Sequence, residues 1–168
     1  SFSTFAGNPY FISLEDLIQE GVLTEEECSR ADFGSRPDFV DYAKVYEERY
    51  PLLRKAYERS SISLDPEFRK FRDENRWWLE DYALFMAVKA RFKGTAWTRW
   101  AQDIRLRWQN ALDYYRRELY YDIEFHQYLQ FKFSQQWKKL KSYANANGIR
   151  IIGDIPIYVA MDSADTWA

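Results

Sequence analysis

The sequence predicts an α/β chain that is itself mostly α-helical and that closes on the helix-then-strand half of a βα repeat. Cap residues stand ahead of apolar runs of helical period, and glycines stand where those runs stop. After Gly148 the stretch GIRIIGDIPIYVAM becomes nearly continuously apolar and rich in Ile and Val, which suits a strand buried on both faces of a parallel sheet. One such strand would expose unpaired backbone groups on both edges, so this reading expects further chain beyond the 168 residues. A first residue Ser1 and a last pair Trp167-Ala168 directly after the strand point the same way.

The elements follow in order. Pro9 pushes Asn8 towards extended geometry, so SFSTFAGNPYF reads as an irregular loop. Ser13 caps a short helix with Asp16 in its first turn and Gly21 at its end; Thr24 and Glu27 have the spacing of a capping box. Asp32–Asp38, with Gly34 and Pro37, reads as a loop, and Asp41–Arg59 as a helix that Pro51 kinks or restarts. Asp65-Pro66-Glu67 combines an N-cap, a proline at the first helical position and an acid in the first turn. From there Trp78, Tyr82, Phe85, Met86 and Ala90 mark one apolar face until Gly94. Thr95–Asn110 has little periodicity; a helix from about Ala111 and a longer one from about Asp122 to Asn147 follow it.

Composition excludes several functions. A net charge of −2 leaves no excess cation to neutralise nucleic acid or an anionic bilayer, so neither is expected as a partner. The longest apolar stretch is broken by Gly153, Asp154 and Pro156, so no membrane span is expected, and no signal peptide is evident. The single cysteine, Cys28, excludes an internal disulfide and a multi-cysteine zinc site and fits a reducing, cytoplasmic setting. Its acidic neighbours should raise the thiol pKa, which argues against a thiol enzyme. Neither a P-loop, a G-x-G-x-x-G nor a G-x-S-x-G elbow occurs.

Aromatic residues make up 19% of the chain although its mean hydropathy is −0.61. Trp77, Trp78, Trp97, Trp100, Trp108, Trp137 and Trp167 offer faces for sugar stacking, but core packing is the expected role of most. Asp154, where the strand is about to end, is a candidate functional carboxylate, because ligands gather at the carboxyl ends of parallel strands. The competing role is a structural carboxylate satisfied by backbone or arginine. Asp162-Ser163-Ala164-Asp165 invites an acid/base or metal role, yet its spacing favours a helix N-terminus. Asn8 and Tyr10 could contact a ligand by amide hydrogen bonds and ring stacking, or simply hold their own turn. The sole histidine, His126, lies mid-helix and is read as structural, and Lys138-Lys139-Leu140-Lys141 as a solvated face.

Several stretches carry a specific resemblance that together covers essentially the whole chain. SFSTFAGNPYFISLEDLI, VDYAKV at Val40–Val45, WWLEDYALFMAVK at Trp77–Lys89, FHQYLQFKFSQQWKKLKSYANANGIRIIGD and GDIPIYVAMDSADTWA resemble the 4-α-glucanotransferases called amylomaltases or disproportionating enzymes. That resemblance implies part of a (β/α)8 barrel of α-amylase type with a large helical insertion. It also implies transfer of α-1,4-glucan segments between maltodextrins by a retaining double displacement, as in starch or glycogen metabolism. Residues 1–10 would be the loop after a barrel strand, 11–120 the helical insertion, and 121–168 a barrel helix, its strand and the start of an active-site loop. Asp154 matches the aspartate of the first α-amylase-type block, which organises the sugar subsite at the cleavage point. Retaining chemistry needs two carboxyl groups about 5–5.5 Å apart, and by the resemblance these lie beyond Ala168, so no residue here is expected to be catalytic.

The candidate substrate-binding residues are therefore Asp154, Asn8, Tyr10, Asp162 and Trp167, with no metal and no cofactor expected. The expected partners are α-1,4-glucans and the remainder of the parent chain. The alternatives are a non-catalytic, aromatic-rich helical module that binds glucan or protein, and an α-amylase-like hydrolase.

Overall fold

The structure, a computed structural model, describes residues 2–36, 38–154 and 157–168. The loop reading at Pro37 and the Ile155–Pro156 part of the expected strand lie outside the described residues. Among the described residues the chain is helical and contains no strand. The α-helices are α1 (Leu14–Gln19), α2 (Glu25–Ser29), α3 (Tyr42–Arg59), α4 (Pro66–Arg91), α5 (Gln102–Arg105), α6 (Gln109–Glu118), α7 (Tyr120–Ala146) and α8 (Ala164–Trp167).

The local start signals act as the sequence predicts. Ser13 accepts from Asp16 N, Thr24 and Glu27 form both bonds of a capping box, and Asp41 and Asp65 cap α3 and α4. Helix α3 runs unbroken through Pro51 rather than restarting there. Helices α6 and α7 each begin two residues earlier than the periodicity suggests. Arg107, at φ 57°, reverses the chain ahead of α6 without the glycine that would have marked the break.

Packing centres on α4 and α7, whose contact is the most extensive between helices. The apolar face of α4 is wider than the predicted stripe. Leu79, Tyr82, Ala83, Leu84, Phe85, Ala87 and Val88 are all buried, whereas Ala90 is exposed and Trp78 and Met86 are half-buried. Phe68 and Phe71 of α4 meet Phe131 of α7 at 5.5 Å between ring centroids. Burial of rings this size contributes about 1.5–3 kcal/mol each. A buried carboxylate, Glu124, joins three elements: it accepts from Tyr57 Oη at 2.9 Å, Ser63 Oγ at 3.0 Å and Tyr120 Oη at 3.2 Å.

The expected strand is a correction. Residues 149–154 and 157–160 run as irregular chain, with Ile152 and Tyr158 both 93% exposed. A strand is stabilised by ladder bonds to neighbours, and no such neighbours flank this segment among the described residues. The predicted buried character belongs to a sheet rather than to the segment alone.

The loop that carries Asn8 and Tyr10 meets no strand among the described residues, yet its backbone is paired at both ends. Gln130 on α7 accepts from Gly7 N at 2.8 Å and donates to Gly7 O at 2.9 Å. Gln136 treats Ser13 alike, at 2.7 and 3.2 Å. Each side-chain amide imitates a peptide group and clamps one end of the loop. Gly7 also rests against the Phe133 ring, where a Cβ would stand 2.1 Å from Cδ1. Gly7→Ala should force that ring aside and cost about 1–3 kcal/mol. A lowered urea midpoint with unchanged m-value would bear this out, and a wild-type midpoint would contradict it.

Candidate functional site

Two segments that are far apart in sequence meet beside α4, and they carry the predicted site residues. Ala164 N donates to Phe2 O at 2.8 Å. Asp165 accepts from Ser3 Oγ at 2.7 Å, Thr4 N at 2.6 Å and Thr4 Oγ1 at 2.9 Å. The chain leaving Thr4 leads to Asn8 and Tyr10, and the chain entering Ala164 has come from Asp154.

Asp154 is exposed on irregular chain. Asn8 holds its own turn: its Oδ1 accepts from Tyr10 N at 3.0 Å and caps the 3-10 turn Pro9–Phe11. Its side-chain NH2 group is not used by that turn. Asp162 differs from the capping role its spacing favours. Ser163, not Asp162, is the N-cap residue of α8, and no side chain caps that helix. Asp162 instead pairs with Lys89 Nζ at 2.6 Å and accepts from Trp97 N at 3.2 Å. A charge-assisted bond to a buried ammonium outweighs one to a neutral N–H.

Trp167 is buried rather than open as a stacking platform. Its Nε1 donates to Ile104 O at 3.1 Å, and its ring meets Trp100 at 5.5 Å, Phe85 at 6.0 Å and the Arg107 guanidinium at 4.5 Å. Trp100 is buried as well, Trp78 and Trp97 are half-buried, and Trp77, Trp108 and Trp137 are exposed. Lys138, Lys139 and Lys141 are exposed, in keeping with a solvated face.

Tyr10 opens onto a cavity of about 720 Å³ between α3 and α4. Its aromatic wall is continuous: Tyr10 meets Tyr50 edge-on at 6.2 Å, Tyr50 meets Tyr46 at 4.8 Å, and Tyr42 lies 6.4 Å from Tyr10. Burial raises the pKa of the Tyr10 and Tyr50 hydroxyls, which remain donors at neutral pH. Arg54 borders the cavity, paired with Asp122 at 2.6 Å and lying 3.9 Å over the Phe125 ring. His126 lines it too, and its buried Nδ1 has no hydrogen-bond partner among the described residues. Among the described residues Glu47 and the paired Arg54 and Lys89 are its only charged lining residues, and a wall dominated by rings suits a polyhydroxylated ligand.

Among the described residues no group of three His, Cys, Asp or Glu side chains is gathered for a metal ion. Burial and, after it, the Glu27 charge raise the Cys28 thiol pKa. Among the described residues no helix is long and apolar enough to cross a membrane.

Lys89, Gln130, Gln136 and Asp165 were not among the predicted site residues. Asp165 was signalled only as part of the Asp162–Asp165 run, and Lys89 by its place on the Tyr82–Phe85 face of α4, where a charge implies a buried partner.

Burial, and then the Arg54 charge, push His126 down to about 3. The unfolded chain, with an ordinary histidine near 6.5, therefore binds the extra proton first as pH falls. Stability should drop between pH 6.5 and 3 by up to about 1.4 kcal/mol per pH unit from this group. Denaturant midpoints across that range should show a flatter profile for His126→Gln, and identical profiles would contradict the assignment.

Residues 1–168 match the family described as 4-alpha-glucanotransferase. Among relatives, a 4-alpha-glucanotransferase of Streptococcus pneumoniae is 48% identical over 170 residues, covering all of this chain and 34% of its own length. One from Thermus thermophilus is 44% identical over 172 residues, covering all of this chain and 33% of its own length. Among solved structures, the amylomaltase from Streptococcus agalactiae in complex with acarbose superposes with a TM-score of 0.91 at 39% identity, over 99% of this chain and 34% of that one. The chain thus spans about a third of the length of the relatives it matches. With its whole length matched by that description, the chain belongs to the 4-alpha-glucanotransferase family.

Proposed function

We propose that this chain is the portion of a 4-α-glucanotransferase that supplies sugar contacts and their helical support, while the catalytic carboxylates lie elsewhere in the parent protein. The whole-chain likeness to an amylomaltase solved with acarbose is the observation that carries this reading. In the parent, residues 121–168 form a helix, a strand and the start of an active-site loop of a (β/α)8 barrel, residues 1–10 follow an earlier strand, and 11–120 are an insertion. Barrel neighbours would supply the ladder partners that residues 149–160 require.

The reaction is a retaining double displacement on α-1,4-glucans, in which a sugar hydroxyl rather than water resolves the covalent intermediate. Asp154 accepts hydroxyl hydrogen bonds from the sugar at the cleavage point, Asn8 offers the amide donors that its turn does not use, and Tyr10 a ring face. Asp162 and Trp167 serve the same site from behind, by fixing the loop that follows Asp154. No cofactor takes part. The single thiol and the absence of a membrane-spanning helix among the described residues support a cytoplasmic setting.

The full-length protein should convert maltotriose to glucose and longer maltodextrins. Release of shorter sugars alone would make it a hydrolase, and no turnover would favour a glucan- or protein-binding module. Asp154→Ala in that protein should lower transfer at least tenfold with helix content unchanged; unaltered turnover would remove Asp154 from the site.

A further inference from the structure

Lys89 occupies a position that the periodicity of α4 assigns to the core. It follows Tyr82 and Phe85 on one face, and the three residues are 4%, 0% and 8% exposed in chain order. A methionine or leucine would fill this place without the cost of burying a charge. The ammonium is nevertheless fully engaged. It donates to Asp162 Oδ2 at 2.6 Å, to Gly94 O at 3.1 Å and, in its longest contact, to Thr95 O at 3.5 Å. It also lies 5.2 Å from the centre of the Phe2 ring.

These contacts reach both segments that carry the sugar-contact residues. Asp162 stands eight positions after Asp154, and Phe2 stands six before Asn8. Around the ion pair the later segment is latched again: Trp97 Nε1 and Thr166 Oγ1 each donate to Met161 O at 2.7 Å. The buried cation therefore sits at the crossing of the two segments, anchored to the last turn of α4.

We infer that Lys89 is a positioning residue for glucan transfer: through Asp162 and Phe2 it sets the placement of the Asp154 segment relative to the Asn8–Tyr10 loop. The inference rests on the transferase reading above. A misplacement of about 1 Å at a reacting centre is enough to lower turnover by about a hundredfold.

The test uses the full-length enzyme and maltotriose, with kcat and KM normalised to folded protein and melting temperature recorded in parallel. Lys89→Met should lower kcat tenfold or more, change KM less than threefold, and shift product partition from transfer towards hydrolysis. Asp162→Asn added to Lys89→Met should lower kcat less than a further twofold, because both changes break one pair. A purely structural lysine would reduce the folded fraction and leave normalised kcat and product partition unchanged, which would overturn the inference. Should Lys89→Met fail to fold, Asp162→Asn alone decides by the same two readouts. An active wild type with an unaffected variant removes only the role of Lys89, whereas an inactive wild type removes the transferase reading and this inference with it.

Discussion

Two glutamine amides on α7 solve the main difficulty of this chain, which is how to hold a loop whose backbone meets no strand among the described residues. Gln130 and Gln136 each present a carbonyl and an NH2 to one residue of the loop, Gly7 and Ser13, so both ends are paired as they would be in a ladder. The spacing of the two glutamines along α7 then sets the span of the loop, and Asn8 and Tyr10 lie between the clamps. Phe133, on the same helix, leaves room beside Gly7 only for a residue without Cβ.

The clamps draw on the burial of α7. It is buried over Glu124–Lys132, where aromatic packing against α3 and α4 surrounds the paired side chains of Glu124, Gln130 and Lys132, while His126 Nδ1 and Tyr128 Oη have no partner among the described residues. Lys132 reaches Glu20, the C-cap residue of α1, at 2.7 Å, and Gln130 lies 3.4 Å from Tyr82 Oη as well as bonding to Gly7. Buried polar groups of this kind are costly when unpaired and directional when paired, so they specify one arrangement of loop on helix. Exposed ion pairs such as Arg36–Asp38 contribute little by comparison.

The parts of the fold that were legible in the sequence are those governed by bonds between near neighbours. The caps at Ser13, Thr24, Asp41 and Asp65 each act on an N–H two or three residues away, so residue type and spacing suffice. The Gly7–Gln130 clamp spans 123 positions, the Lys89–Asp162 pair 73 and the Thr4–Asp165 bond 161, and no local pattern marks them. The strand expected over 149–154 and 157–160 fails as a local prediction for the same reason, because its apolar character reports on partners rather than on its own geometry. Of the site, Asn8 and its turn were legible because the interaction is local. The tyrosine-walled cavity beside Tyr10 was not, since its wall comes from α3. The Asp162–Asp165 run does open a helix, α8, but Asp162 is not its cap, because the partner that claims it lies on another helix.

Long-range hydrogen bonds, most of them accepted by side chains, hold in place the two segments that carry the site. Hydrogen exchange read at single amides tests it most directly, at Thr4, Gly7, Ser13 and Ala164, whose N–H groups donate to Asp165, Gln130, Gln136 and Phe2. The account predicts protection at all four approaching that of the α7 interior. Exchange at these amides as fast as in unstructured chain, with α7 still protected, would contradict it.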